Sequence, residues 1–261
     1  MKKPFKRSIA AWPNPCLKDS SLYLKPIQLL FTCEHGGFEI PPEYASIFSG
    51  ATQWLKSHRG WDEGALDVAN SLAHHFEAEL VYSQISRLVV DLNRSIGHPR
   101  LFSSWTKPLR SEEKQKILEA YYFPYRDRVF QSIKQKIDLG FLVLHISVHS
   151  FTPVWKQKRR TTDIGFLYNP HREKEKIFCI EWRKIFHHHF QKLTIHLNRP
   201  YRGNTDGFTE SLRQSFLEKN YLGIELEINQ KRLQSESRQK ILQSLIQSLK
   251  KCLEEFNLQE K

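Results

Sequence analysis

The sequence predicts an α/β domain with helices on both faces of a buried sheet. Short apolar runs alternate along the chain with stretches of helical period, the pattern of strands joined by helices. The 261 residues are also 39% hydrophobic, enough for one sizeable core. Residues 1–25 are basic and broken by Pro4, Pro13 and Pro15, so they read as an N-terminal arm ahead of a single domain over 26–261. The first strand is 27–33 (IQLLFTC), followed by a helix over 61–76 and a strand over 79–82. A long helix over 111–139 opens with a capping signal at Ser111-Glu112-Glu113-Lys114, and 141–148 (FLVLHISV) is the next strand. The polar segment 152–163 reads as a loop, 164–168 as a strand, and 173–193 as an aromatic-rich helix. A strand over 222–228 precedes the closing helix over 231–256. There Leu242, Leu245, Leu249, Cys252, Leu253 and Phe256 recur at three-and-four spacing and form a packing face.

Net charge is +12, a field that attracts anions of many kinds and does not choose among nucleic acid, membrane surface and small acidic molecules. No apolar run reaches the roughly 18 residues of a membrane span, and the basic start lacks the apolar centre of a secretion signal. Cysteines 16, 33, 179 and 252 are far apart with no C-x-x-C pair, so reduced thiols and a cytoplasmic protein are expected. Six tryptophans are scattered without a nucleic-acid motif, and nucleic acid is not an expected partner.

The chemistry gathers where elements end. The first strand runs into Cys33-Glu34-His35-Gly36-Gly37, and the strand FLVLHISV into Ser147-Val148-His149-Ser150. Ligands of open α/β sheets bind outside such strand ends. A third polar group, His58-Arg59-Gly60-Trp61-Asp62-Glu63, stands just ahead of a helix. Two histidines and one carboxylate are a catalytic zinc set, with a fourth position left for water. In Gly223-Ile224-Glu225-Leu226-Glu227-Ile228-Asn229, alternation puts Glu225, Glu227 and Asn229 on one face. A carboxylate there can shuttle a proton in metal-assisted hydrolysis; a wet edge strand, or pairing with Arg and Lys, is the plain alternative.

Two further segments, 86–94 (SRLVVDLNR) and 199–207 (RPYRGNTDG), supply Arg87, Asn93, Arg94, Tyr201 and Arg202 as candidates to hold an acidic substrate. For one of the first two arginines, a structural pair with Asp91 is the alternative. His187-His188-His189 point around a helix and cannot share one ion, so they read as surface or partly packed residues. His58 is a cleft-lining candidate without the strand-end setting, and Cys33 reads as a small buried residue.

Taken in order, CEHGG, HRGWDEGA, SRLVVDLNR, SVHSF, RPYRGNTDGFTESLR and GIELEINQ make residues 28–232 resemble the N-formylglutamate amidohydrolase family. The resemblance implies a zinc-dependent amide hydrolase with a three-layer αβα sandwich around a mixed, mainly parallel sheet, of the phosphorylase/hydrolase-like kind shared with zinc carboxypeptidases. It implies His35, Asp62 and His149 as metal ligands and Glu227 as general acid/base. Carboxypeptidase-like sites often use an H-x-x-E element, but here Phe38 stands in that place and Glu39 comes one residue late. Asp62 is therefore the expected carboxylate ligand, with Glu63 in reserve and Glu34 orienting the other nitrogen of His35. The expected cofactor is one Zn2+, with other divalent metals able to occupy the same ligands. The expected partner is a small acidic N-acyl amino acid, with no membrane. A peptide or cell-wall amide hydrolase on the same site, and a basic nucleic-acid- or partner-binding protein without catalysis, are the alternatives.

Overall fold

The computed structural model describes residues 25–189, 193–234 and 237–259, so the basic arm lies outside the described residues. In chain order the strands are β1 (Ile27–Cys33), β2 (Glu79–Tyr82), β3 (Leu142–Phe151), β4 (Val154–Trp155), β5 (Lys158–Arg159), β6 (Ile164–Leu167), β7 (Ile195–Leu197) and β8 (Tyr221–Asn229). The helices are α1 (Thr52–Leu55), α2 (Ala65–His75), α3 (Ser111–Ile117), α4 (Phe123–Asp138), α5 (Glu173–His189), α6 (Phe208–Ser215), α7 (Gln230–Leu233) and α8 (Arg238–Gln259). Six strands form one sheet in the order β2-β1-β3-β8-β6-β7. Neighbours run parallel except β6 and β8, which are antiparallel, so the sheet is mixed and mainly parallel.

Strand alternation divides the molecule into layers. Leu142, Leu144, Ile146 and Val148 of β3 and Leu222, Ile224, Leu226 and Ile228 of β8 pack into a core with α2, α5 and α8. The opposite face begins apolar, at Val143 and Tyr221, which join a second core with α4 and α6. Toward the carboxyl ends that face turns polar: His145, Ser147 and His149 on β3, Glu225, Glu227 and Asn229 on β8. Register places Ser147 beside Glu225 and His149 beside Glu227. Polar groups thus collect at one end of one face, because the other face and the other end are filled by packing. Among the described residues, no helix is long and apolar enough to cross a membrane.

Several elements differ from the sequence expectation. The first long helix begins only at Ala65, since Gly64 takes a left-handed φ of 78° and 63–64 form a turn ahead of it. The stretch 111–138 is helical throughout but contains a π-helical segment at Leu118–Tyr122, and no side chain caps its start, Arg110 being the cap residue. The segment 152–163 holds the β4–β5 hairpin. The closing stretch is split into α7 and α8. Its apolar stripe packs as expected, with Leu245, Leu249, Cys252 and Phe256 buried in the core.

Candidate active site

His35 lies in the turn that ends β1, and its position is set by backbone bonds to two other segments. Asp62 N–H donates to the His35 carbonyl at 2.9 Å, and Gly36 N–H to the Ser83 carbonyl at 3.0 Å. A Cβ on Gly37 would sit 2.5 Å from the Gln84 carbonyl oxygen, so only glycine lets this turn close on the chain after β2. Asp62 stands just before α2, and His149 near the end of β3. All three side chains are buried.

One ligand atom from each of His35, Asp62 and His149 lies within 4.8 Å of the others, a group that could hold a metal ion. The Nδ1 atoms of His35 and His149 stand 3.4 and 2.8 Å from Asp62 Oδ2. The far nitrogens are also engaged. His35 Nε2 is hydrogen-bonded to Asp91 Oδ1 at 2.8 Å, and His149 Nε2 meets Ser147 Oγ at 2.9 Å and Glu34 Oε2 at 3.2 Å. This corrects the expected pairing of Glu34 with His35: the Glu34 side chain reaches β3 instead and also accepts from the Ser147 and Tyr125 hydroxyls. Asp91 takes the role at His35. From sequence, Asp91 is expected only as an arginine partner. It is that too, since Arg87 Nη1 and Nη2 donate to Asp62 and Asp91, both at 3.1 Å.

The electrostatics follow from this knot. Burial alone would raise the Asp62 carboxyl, but the charges of His35 and Arg87 and the hydrogen bonds from both histidines hold it well below the carboxylate range. Asp91 is depressed in the same way, its burial outweighed by Arg87 and His35. Burial disfavours the His149 cation, yet the bonds to Asp62 and Glu34 push its imidazole well above the ordinary value. The donor set of two imidazole nitrogens and a carboxylate oxygen, each ring backed by a carboxylate on its other nitrogen, fits a borderline divalent cation.

Glu227 stands in register beside His149 and, across β6, beside Gly165. It is 6% exposed and its Oε2 has no hydrogen-bond partner. Burial pushes its carboxyl up to about 8, with Asp62 and Glu225 adding and His149 and Arg87 opposing. Among the described residues the other buried side-chain polar atoms without a partner are Trp61 Nε1 and Arg94 Nε. All three belong to segments around the trio.

The remaining candidates separate. Glu225 is less buried than Glu227 and accepts from the Thr209 hydroxyl. The Glu63 carboxylate accepts from Gln234 at 2.9 Å, which takes it away from the trio. Asn93 Oδ1 accepts from Phe208 N–H at 2.6 Å at the start of α6, and its Nδ2 lies 3.5 Å from His149 Nε2. Arg94 Nη1 donates to the Asp206 main-chain carbonyl and lies 3.8 Å from the Asp206 carboxylate. Tyr201 and Arg202 are exposed, as are His58, His187 and His188. Cys33 is buried. Asp91, Ser147 and Tyr125 are the residues that sequence reasoning missed. Ser147 was legible as the alternation partner of His149, whereas Asp91 and Tyr125 reach the site only through the fold.

A model of the N-formylglutamate amidohydrolase family matches residues 27–233. No curated protein matches the chain. Among solved structures, a gene product of Agrobacterium tumefaciens is similar at 30% identity and a TM-score of 0.76, covering 88% of this chain and 92% of its own. The N-formylglutamate amidohydrolase of Ralstonia eutropha, at 14% identity and a TM-score of 0.62, covers 89% and 95% and shares the fold.

Proposed function

The chain belongs to the N-formylglutamate amidohydrolase family and is an amide-bond hydrolase, and from that premise we propose that it cleaves a small acidic N-acyl amino acid of the N-formylglutamate kind in a zinc-dependent reaction. The observation that carries the reading is the unpartnered Glu227 carboxyl in register beside His149, at the edge of the His35, Asp62 and His149 group. Zinc held by these three ligands would supply Lewis acidity to the acyl oxygen and acidify the attacking water.

The chain's own residues do the rest. Burial raises the Glu227 carboxyl above the ordinary carboxylate range, which suits a group that both takes and returns a proton. As carboxylate it takes the proton of the attacking water, and as carboxyl it returns one to the departing amine nitrogen. Arg87 holds Asp62 and Asp91 in place through its fork, so its part is to position ligands. Asp91 and Glu34 fix the two rings with Nδ1 toward the shared site. Arg94, Asn93, Tyr201 and Arg202 border the substrate space in this reading. The buried free thiols of Cys33, Cys179 and Cys252 accord with a reducing, cytoplasmic setting.

The test joins elemental analysis with a screen of N-formyl and N-acetyl amino acids for release of free amine. The expected result is about one zinc per chain and hydrolysis that a chelator removes and zinc restores. Zinc-replete protein that releases no amine from any N-acyl amino acid would refute the proposal. Asp91→Asn leaves the trio intact but weakens the acceptor behind His35. Its zinc affinity should fall by about 10–100-fold in a chelator competition. Unchanged affinity would mean that Asp91 serves Arg87 alone.

A further inference from the structure

A substrate of this kind carries a free carboxylate, and two of the arginines singled out by sequence already spend donors within the protein, Arg87 on two aspartates and Arg94 on Asp206. Arg160 is placed differently. Its guanidinium carbon lies 5.3 Å from the ring centre of Phe151, 5.4 Å from that of Trp155 and 5.1 Å from that of Tyr201. Its Nη2 donates to the Tyr201 hydroxyl at 3.1 Å, and its Nη1 reaches the Thr152 carbonyl at 3.4 Å. Among the described residues no carboxylate stands within ion-pair distance of it, although the side chain is only partly exposed. We infer that Arg160, held among these three rings, is the anchor for the free carboxylate of the substrate, a role that rests on the hydrolase reading above.

The fold brings this guanidinium to the side where the chemistry gathers. Phe151 is the last residue of β3, two positions beyond His149. Tyr201 follows a segment that closes on the sheet at Gly165, where a Cβ would meet the Arg199 carbonyl oxygen at 2.1 Å and the Glu227 Cβ at 3.4 Å. Gly165 therefore lets the Tyr201 segment lie against the strand position paired with Glu227. The electrostatics agree: partial desolvation raises the phenol of Tyr201, whose side chain is still exposed at one edge, with the charges of Glu227 and Asp62 adding and Arg160 opposing. On the hairpin's other flank the His58 ring meets Trp155 edge-on at 6.1 Å, and its pKa is lowered by burial and by Arg59, Arg87 and Arg160. Arg59, Arg87 and Arg160 thus bring positive charge together around His58.

Physical chemistry explains why this arginine suits an anion. Ring faces hold a guanidinium in place without using up its donors, and each terminal nitrogen of Arg160, with one bond to Tyr201 or Thr152, keeps a second N–H for a carboxylate. Much of the rotamer freedom that binding would remove is already gone. The bidentate geometry also explains why lysine is a poor replacement.

The experiment measures binding, by calorimetry on zinc-loaded protein carrying Glu227→Gln so that the ligand persists, of N-formyl-L-glutamate and its two monoamides, with Arg160 intact (wild type at this position), Arg160→Gln or Arg160→Lys, while amine release is read with Glu227 intact. Wild type should prefer the diacid over one monoamide by about 10²-fold, which identifies the carboxylate that is held. In Arg160→Gln the diacid should bind only as well as that monoamide. The monoamide's own affinity, the zinc content and the melting temperature stay at wild-type values, and Arg160→Lys restores little. A preference that survives in Arg160→Gln, or a wild type that binds none of the three or shows no preference, overturns the anchor. Binding that depends on Arg160 without any amine release would leave the anchor standing and sink the hydrolase reading instead.

Discussion

Alanine at His149 removes stoichiometric zinc and, with it, hydrolysis. Only His35 and Asp62 would remain as ligands, and Asp62 Oδ2 would lose its nearest nitrogen, now 2.8 Å away. The loss should exceed the 10–100-fold drop typical of an outer partner, so zinc affinity falls by more than about 10²-fold. Glu34 is fully buried and would lose the imidazole while keeping the Ser147 and Tyr125 hydroxyls, which limits the damage to the fold. A circular-dichroism melt separates metal loss from unfolding. His145→Gln is the matched control on the same strand and face. His145 is buried with its nitrogens on Thr32 and Tyr221 at 2.8 Å each, and its substitution should cost stability while zinc stays bound. Full zinc occupancy in folded His149→Ala protein would refute the ligand assignment.

Glu227→Gln should keep fold and zinc yet lose turnover by about 10²-fold or more, because glutamine has the shape of the carboxyl but exchanges no proton. Its effect on stability has the opposite sign. A buried carboxyl whose pKa rises to about 8 in the folded protein, against 4.5 for the ordinary group, binds a proton in the native state that the unfolded chain releases. Native stability therefore falls as pH rises through the window from 4.5 to 8. The glutamine variant escapes that loss, so the metal-free variant should melt at or above the wild-type temperature at pH 8. Glu225→Gln should mainly disturb the contact with Thr209 and leave turnover far less affected. Near wild-type turnover by zinc-loaded Glu227→Gln would shift the proton role to another group.

Much of the sheet was legible in the chain. The runs 27–33 and 79–82 coincide with β1 and β2, since each is a short apolar run closed by turn residues. In 141–148 and 222–228 the alternation already told which side chains share a face, and that face carries the histidine and the two glutamates. β7 and α6 were missed for a physical reason. Three strand residues are too few for a periodic signal, and α6 sets little more than Phe208 and Leu212 against the core within a polar segment. The β4–β5 hairpin is likewise two residues a side and exposed, so nothing in its composition separates it from a loop.

The sequence by itself determined the α/β architecture, the apolar face of each central strand, and the residue types at the strand ends. Local periodicity dictates these, because each depends on neighbours within a few positions. The tertiary structure alone decided which of those polar groups meet. Glu34 passes over its neighbour His35 to reach His149, while Asp91, 56 residues away, takes His35. Arg87 closes on two aspartates, and Arg160 is enclosed by rings from β3, the hairpin and the 199–207 segment. Such partnerships depend on strand order and register, which place residues from distant parts of the chain side by side, and on burial, which makes an unpaired charge too costly to leave where sequence neighbours alone would put it.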